Sequence, residues 1–391
     1  MRARLIWVIA ATILLSGFGA PAENVPPPVT IDLKAAGMAA DLFSKPPENR
    51  DQARGMLNIF WLTPDQLVAA FSTTPRYPKP KEAPPLGIRM VVFDSAGKQL
   101  ATKDWSFAAT GPEGDASLDI EPGPDHTILV IHVSATDTGV VPEGNQLQVL
   151  SGTGKLLQNF YIPSDSALLP PPSAAASSLV LQRYTSEDRS TLRFFTGRPL
   201  KSRLEFQVAK KSETITGPME VARLICSKPA VCPKLHVARA DGTGWDFTDA
   251  PENTPHPRAF LGADTILVEV EVPNKPSKLM LVRPNSPPTL LPQIKNNDAI
   301  TNVAGVATDG SRFALDTYGG GSMCNFLDFA CSYHAKSLVF DISGVKKGEA
   351  AGGSILFEKG LSVEAGKSAL SPDGRRLAVL DHGKLLVFSL P

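Results

Sequence analysis

Apolar and polar residues alternate along much of this chain in short runs, and polar turns separate the runs. Six stretches share one form, in which two β-rich segments flank a turn; they begin at residues 91, 148, 193, 236, 281 and 339. The first reads VVFDSAGKQL and the last reads VFDISGVKKG. A seventh run, KLLVFSL (384–390), ends with the chain and leaves no room for a return strand. Period-two alternation of this kind is typical of half-buried β-strands.

The units recur at intervals of about 50 residues, a period that indicates a β-propeller with one four-stranded blade per repeat. We therefore expect an all-β fold, a single seven-bladed propeller, with six or eight blades as alternatives. Blade four, around residues 219–245, is the hardest to delimit. No composition break or long linker divides residues 23–391, so we assign them to one propeller domain.

The last blade shows three strands before the chain ends. Residues 29–33 (VTIDL) alternate in strand fashion and have no blade of their own. We expect them to pair with residues 385–390 as the missing outer strand, because closing the ring removes exposed strand edges. A short helix around residues 35–43 is expected to lead from there to blade one.

One segment of the last blade carries a recognisable motif. Residues 371–378 read SPDGRRLA, in which Pro372, Asp373 and Gly374 suit the successive positions of a tight turn. This segment resembles the turn-and-strand motif of WD40-like repeats in exported TolB-type β-propellers, most clearly over residues 370–380. Residues 304–315 carry a weaker copy around Asp309. The resemblance implies fold and export, and it transfers no active site.

The N-terminus has the form of an export signal. Arg2 and Arg4 precede an apolar run over residues 5–15, and Ala20-Pro21-Ala22 offers small residues for cleavage before Glu23. We assign residues 1–22 as a signal peptide, with an uncleaved anchor as the alternative. The apolar run is shorter than the ~20 residues of a spanning helix. We therefore expect an extracytoplasmic protein, periplasmic or secreted, with no membrane span after cleavage.

Charge and cysteine content narrow the possible partners and folds. The 39 basic and 39 acidic residues balance, so no electrostatic footprint for nucleic acid is present. The four cysteines form two close pairs, Cys226 with Cys232 and Cys324 with Cys331. In an exported chain the even count favours two local disulfides. Free or cross-paired thiols and a metal site remain alternatives, although neither spacing is that of a zinc knuckle.

Catalytic motifs are weak. The nearest approach to G-x-S-x-G is GGSMC (320–324), which lacks the second glycine. Residues 238–245, ending in Trp245, faintly resemble the tryptophan-docking repeats of quinoprotein propellers, but an ordinary hairpin turn explains them better. No metal-protease, P-loop or dinucleotide motif occurs.

The ionisable residues do not form an obvious set either. The histidines are scattered over the blades. Two Asp-His pairs (125–126 and 381–382) could converge across a propeller, but adjacent residues on a strand point to opposite faces. Four aspartates precede second strands of blades, where turn geometry explains them better than a cation site: Asp65, Asp264, Asp309 and Asp373. We predict no catalytic, cofactor-binding or metal-binding residues.

These observations favour an exported, non-catalytic binding or scaffold propeller. Its partner would be a protein or another envelope component. Specificity would reside in the long loops at 73–87, 226–233 and 319–334, because propellers bind through their connections. The alternative is a propeller enzyme, lactonase-like or quinoprotein-like, with a site in the axial channel. No cofactor is predicted.

Overall fold

The structure, a computed structural model, describes most of the chain. The described ranges are 26–39, 56–74, 86–107, 117–133, 145–163, 165–169, 178–184, 189–209, 214–217, 220–225, 232–239, 241–273, 275–294, 298–320, 333–361 and 367–391. In these ranges 28 strands form seven four-stranded antiparallel sheets. The chain is a seven-bladed β-propeller, as the repeat period predicts.

The strands run through the blades in chain order from the inner to the outer edge. Blades 1 and 2 comprise β2 (Met56–Thr63), β3 (Gln66–Ser72), β4 (Leu86–Asp94), β5 (Gln99–Phe107), β6 (Ser117–Gly123), β7 (Thr127–Val133), β8 (Asn145–Leu150) and β9 (Leu156–Ile162). Blades 3 and 4 comprise β10 (Ser166–Leu169), β11 (Ser178–Tyr184), β12 (Arg189–Thr196), β13 (Lys201–Ala209), β14 (Thr214–Gly217), β15 (Glu220–Ile225), β16 (Lys234–Arg239) and β17 (Gly244–Thr248).

Blades 5 and 6 comprise β18 (Thr254–Phe260), β19 (Ile266–Glu271), β20 (Lys278–Val282), β21 (Thr289–Leu290), β22 (Ala299–Val306), β23 (Arg312–Gly320), β24 (Tyr333–Asp341) and β25 (Ser354–Leu361). Blade 7 takes β26 (Ser368–Leu370), β27 (Arg376–Asp381), β28 (Lys384–Ser389) and, as its outer strand, β1 (Val29–Asp32). Helical structure in the described ranges is confined to one 3₁₀ turn, Pro124–His126.

The core is divided among the blade interfaces. In the described part of the chain, seven clusters of buried apolar residues each join two neighbouring blades. In β3, Leu67, Ala69 and Phe71 pack towards blade 7, and Val68 and Ala70 pack towards blade 2. Because successive side chains of a strand point to opposite faces, a strand buried on both faces reads as a continuous apolar run. This explains the continuous apolar runs in second strands such as β3 (QLVAAFS) and β7 (TILVIHV).

The N-terminal strand closes the ring, as predicted. β1 pairs antiparallel with β28, with Ile31 opposite Leu385 and Asp32 opposite Lys384. The side chain of Ile31 is buried in the cluster between blades 7 and 1. The turn at Gly97 of blade 1, which has a φ of +87°, lies directly on this strand, since a Cβ there would stand 3.0 Å from Ile31. Pairing and packing therefore both fix β1.

The expected helix around residues 35–43 is wrong over its described part. Residues 33–37 form a turn, in which the Asp32 carboxylate accepts hydrogen bonds from the amides of Lys34 and Ala35 at 2.9 and 3.2 Å. Ala39 N then donates to Ser72 O of blade 1. The aspartate thus ends the strand in a turn, a role in which Asp competes with helix formation. Residues 40–43 lie outside the described ranges.

The antiparallel order divides all connections between two faces of the disc. Turns between first and second strands, and between third and fourth strands, lie on what we call the hairpin face; examples are 64–65, 95–98, 261–265 and 371–375. Connections between second and third strands, and the links between blades, lie on the opposite side, the loop face. Among the described residues, no helix is long and apolar enough to cross a membrane.

Candidate functional site

Several short, internally bonded turns lie on the hairpin face, which also carries the twelve-residue connection 342–353 between β24 and β25. In three of these turns an aspartate carboxylate accepts two hydrogen bonds from the residue two positions later, one from its amide at 2.9 Å and one from its hydroxyl at 2.6 Å. The pairs are Asp241–Thr243, Asp309–Ser311 and Asp341–Ser343. The Ser311 hydroxyl lowers the pKa of Asp309, and the Thr243 hydroxyl lowers that of Asp241. These carboxylates already have partners within their own turns, as predicted for Asp309.

The other predicted turn aspartates have mixed roles. Asp373 accepts the hydroxyl of Ser371 at 2.6 Å and the amide of Arg375 at 3.2 Å, which is again a turn role. Asp65 instead accepts a hydrogen bond from Arg376 of blade 7, at 3.2 Å. Asp264 forms a salt bridge with Arg239 of blade 4. Two of the four therefore tie neighbouring blades together, and the sequence spacing did not reveal that the arginines come from another repeat.

The two Asp-His pairs do not converge. Asp125 and His126 form the turn between β6 and β7 on the hairpin face, with φ of 54° and 61°, and His126 Nδ1 bonds to Leu62 O of blade 1. His382 lies between β27 and β28 on the loop face, where its Nδ1 is 2.8 Å from its neighbour Asp381. The two imidazoles thus stand on opposite faces of the disc.

The remaining described histidines have local partners. His236 bonds to Asp246 at 2.7 Å, and His256 contacts Glu271 at 3.3 Å. Burial lowers the pKa of His132, against a raising effect of its hydrogen bond with Gln148. The side chain of His334 lies outside the described part. No group of three or more His, Cys, Asp or Glu in the described ranges could hold a metal ion.

The described ranges contain only part of the cysteine segments and of the segments that resemble catalytic motifs. Cys232 is disulfide-bonded, whereas Cys226, Cys324 and Cys331 lie outside the described residues, so both pairings stay predictions. The GGSMC segment also lies outside them from residue 321 onwards. The segment ending in Trp245 is a hairpin: β16 pairs with β17, and Val237 stands opposite Trp245.

The strands that flank the three long loops predicted from the sequence have their adjoining ends on the loop face. The loops connect β3 to β4, β15 to β16, and β23 to β24, which in each case are the second and third strands of a blade. Most residues of these loops lie outside the described ranges. The described strand ends beside them therefore lie on the face opposite the bonded turns of the hairpin face.

An ionisable cluster lies at the axial ends of three blades. Asn58, on the inner strand β2 of blade 1, donates from Nδ2 to Glu121 Oε2 at 2.8 Å and to Ile120 O at 3.1 Å. Glu121 is on the inner strand of blade 2. It interacts electrostatically with Lys367, which directly precedes the inner strand of blade 7. Because blade 1 stands between blades 7 and 2, these side chains can approach each other only beside the axis.

Burial dominates the electrostatics of this axial cluster. It raises the pKa of Glu121 to about 7, against the opposite charge of Lys367, while the charge of Asp119 adds to the increase. Burial also lowers the pKa of Lys367, against the attraction of Glu121 and Asp119. Asp119 itself is exposed. A carboxyl that titrates near neutral pH beside a lysine can exchange protons or bind a charged group.

A second buried carboxyl lies between blades 6 and 7, where it contacts Ser368, the residue that follows Lys367. Asp316, on β23, is 1% exposed and accepts the Ser368 hydroxyl at 2.6 Å. The hydroxyls of Ser337 and Ser368 are 2.8 Å apart. Burial raises the pKa of Asp316 to about 6, although hydrogen bonds from Ser368, Ser337 and Asn302 act in the opposite direction.

Sequence reasoning missed every member of the axial cluster. Asn58, Glu121 and Lys367 are separated by more than 60 and 240 residues and belong to no motif. Lys367 precedes a three-residue strand, and β6 carries Glu121 between Ile120 and Pro122. The one available signal was Asn58, a polar residue within the apolar run of β2 (MLNIFWLT).

Solved structures similar to this chain support the propeller fold. The β-propeller domain of the Trilobed protease from Pyrococcus furiosus superimposes with a TM-score of 0.51, covering 86% of this chain and 94% of that chain at 9% identity. Protein lmo1340 from Listeria monocytogenes EGD-e gives a TM-score of 0.50, covering 88% of this chain and 97% of that chain at 10% identity. Similarity at such low identity shows the fold alone.

One feature separates this chain from the Pyrococcus furiosus propeller. That propeller is described as having an open velcro topology, whereas here the N-terminal strand pairs with the C-terminal one. No protein-family model and no curated protein matches the sequence. The comparisons therefore support a β-propeller resemblance and do not extend to the WD40-like or TolB-type family.

Proposed function

We propose that this chain is an exported, non-catalytic β-propeller that binds a protein or another envelope component with its loop face. The observation that carries the proposal is the difference between the two faces. On the hairpin face, aspartates and arginines bond within the disc. The loop face carries the three long connections, and Lys367 of the axial cluster lies where a link from this face enters blade 7. Propellers use such connections for recognition because a rigid scaffold positions them.

Site-specific photo-crosslinking in cells distinguishes the two faces. A photoreactive residue replaces an exposed residue of the loop face, Glu252 or His382, or one of the hairpin face, Lys155 or Lys346. We expect discrete adducts from Glu252 and His382 with a common partner, identified by mass spectrometry, and none from Lys155 or Lys346. Equal adduct patterns from the two faces, or adducts from the hairpin face alone, would contradict the proposal.

Export and the disulfides belong to the same proposal. The mature protein is expected to begin at Glu23 in an extracytoplasmic fraction, with Cys226–Cys232 and Cys324–Cys331 closed. Intact-mass analysis of the native protein and non-reducing peptide mapping test both points. A full-length N-terminus in the cytoplasmic fraction, or free thiols at these four positions, would contradict this part. Each disulfide closes a loop of fewer than ten residues, so reduction should mainly loosen those loops.

The axial cluster gives the enzyme alternative its one specific observation. Glu121 with a pKa of about 7, next to Lys367, provides a group able to act as an acid or a base. A lactonase-like or quinoprotein-like enzyme would show stoichiometric Ca²⁺ or a visible absorption band in the purified protein. Either result, together with a turnover that Glu121→Gln abolishes, would favour this alternative over a binding module.

A further inference from the structure

The inner strand of blade 7 is unusually short and depends on side-chain contacts with three other blades. β26 has three residues and pairs only with β27, Ala369 opposite Ala378. Trp61 of blade 1 donates from Nε1 to Ala369 O at 3.0 Å. Of the two residues that begin this strand region, Lys367 interacts electrostatically with Glu121 of blade 2, and Ser368 donates a hydrogen bond to Asp316 of blade 6.

The contact with blade 6 contains a deeply buried carboxyl. Asp316 accepts the Ser368 hydroxyl at 2.6 Å and the Ser368 amide at 3.3 Å. Ser368 is 4% exposed and Ser337 is fully buried. The groups that act on Asp316 are the uncharged side chains of Ser368, Ser337 and Asn302. No cation among them compensates a negative charge at this position.

The contact with blade 2 contains the second carboxyl. Glu121 is held by Asn58 at 2.8 Å, and the charged groups acting on it are Lys367 and Asp119. Lys367 is itself half-buried, and its backbone carbonyl accepts the amide of Leu380 at 2.9 Å. Movement of this residue would therefore disturb the axial cluster and the edge of β27 together.

We infer that β26 is a proton-dependent seam, which is seated on blades 6, 1 and 2 when Glu121 and Asp316 are protonated and opens locally more often when they ionise. A buried carboxylate is poorly solvated, and local opening returns it to water. Both groups have a raised pKa in the folded chain, about 7 for Glu121 and about 6 for Asp316. Their contribution to closure is therefore complete below their unfolded-state values and is lost as pH rises through these two values.

Opening of the seam requires no ligand, and an extracytoplasmic protein would meet changes of pH in this range. Each carboxyl whose pKa is higher in the closed than in the open state weakens closure up to tenfold per pH unit between its two values. The effect should be centred on β26, because the two carboxyls act on Lys367 and Ser368, with which this strand region begins.

Hydrogen–deuterium exchange of the full mature chain at pH 5 and pH 7.5, corrected for the intrinsic exchange rate, tests the seam. We expect protection in peptides covering 367–381 to fall at least tenfold between the two values. Peptides covering β19 in blade 5 should change less than twofold. A fall of the same size in both regions, or no fall around β26, would overturn the inference.

Two isosteric variants and a matched control sharpen the result. Glu121→Gln and Asp316→Asn should each reduce the pH dependence around β26, whereas Glu358→Gln should leave it unchanged. Glu358 forms a surface ion pair with Lys336 at 3.0 Å on the outer part of blade 6. If Asp316→Asn fails to fold, carboxyl-carbon NMR titration of the parent decides: midpoints below pH 5 for both residues would overturn the inference.

Discussion

Among the described residues, fifteen buried apolar residues pack between blades 7 and 1, and four pack between blades 3 and 4. The first interface joins the two ends of the chain, with Ile31 opposite Leu385. The second joins consecutive repeats, separated by residues 210–213. Bringing distant segments together costs more chain entropy than joining neighbours. The larger apolar area between blades 7 and 1 offsets that cost.

Polar side chains add to the same contrast. Between blades 7 and 1, Arg376 donates to Pro64 O at 2.5 Å and to Asp65 at 3.2 Å. In blade 4, Arg223 lies on the face of β15 that its neighbour Val221 presents to blade 3. Its Nε is buried without a hydrogen-bond partner, and burial lowers its pKa. Arg376 therefore has hydrogen-bond partners across the interface between blades 7 and 1, whereas the interface between blades 3 and 4 contains a desolvated cation.

Deletion of residues 23–34 should have the largest effect. It removes β1 together with Ile31 and Leu33, both buried, and exposes the edge of β28. Loss of several kcal/mol of apolar burial and hydrogen bonding is comparable to the net stability of a typical domain. We expect aggregation, or a melting temperature lower by tens of degrees, in calorimetry. Deletion of 23–28 is the control and should melt with the parent; equal melting of the two deletions would show that blade 7 is complete without β1.

Matched phenylalanines test whether the larger cluster is also the less tolerant one. Phe71 lies between blades 7 and 1, Phe194 lies between blades 3 and 4, and both are fully buried. Truncation of a buried Phe to Ala costs about 3–5 kcal/mol, and less where the surroundings can collapse. We expect Phe71→Ala to fall near the upper end of this range and Phe194→Ala near the lower end in urea denaturation. The reverse order would break the comparison.

Between pH 5 and pH 8 the free energy of unfolding of the whole chain should fall. Glu121 and Asp316 have raised pKa values, about 7 and about 6, so they stabilise the fold at low pH and stop doing so as pH rises. Each of these two pKa shifts corresponds to a change of at most about 3 kcal/mol in the free energy of unfolding. The lowered pKa of His132 acts with the opposite sign below its unfolded value.

Urea denaturation at the two pH values measures this change. The double variant Glu121→Gln, Asp316→Asn should flatten the dependence. A parent protein that is more stable at pH 8 than at pH 5 would contradict the sign.

A pair of arginine substitutions should give the smallest effects, with opposite signs. Arg376→Met removes two hydrogen bonds between blades 7 and 1, at a cost of about 1 kcal/mol. Arg223→Met replaces a desolvated cation by an apolar chain of similar length, which is neutral or stabilising. Melting temperatures of the two variants, compared with the parent, check both signs. Marked destabilisation by Arg223→Met would mean that its guanidinium has a structural partner.

The inner strands are the elements that the sequence indicates least clearly. β10 and β14 have four residues each, and β18 (TPHPRAF) contains two prolines that suggest a loop. Pro255 and Pro257 are two residues apart, so both missing N–H groups point to the same side of the strand. An innermost strand has one side without a partner strand, and proline is tolerated there. Second strands such as β3, which is buried on both faces, were readable because their apolar runs are long.

The candidate site follows the same division. Turn aspartates such as Asp309 could be assigned from sequence because their partners lie two residues away. The inter-blade roles of Asp65 and Asp264 could not, because Arg376 and Arg239 belong to other repeats. Glu121 and Lys367 stand 246 positions apart and meet only because the ring brings blades 2 and 7 to one axis.

By itself, the sequence determined the repeat, the all-β class, the blade count and the strand that closes the ring. Each of these rests on hydrophobic period and on turn residues that act over a few positions. The tertiary structure alone decided which face carries the long connections, which neighbouring blades an arginine connects, and which carboxyls are buried. Those properties depend on residues from different repeats, and on a desolvation that arises only when the blades pack together.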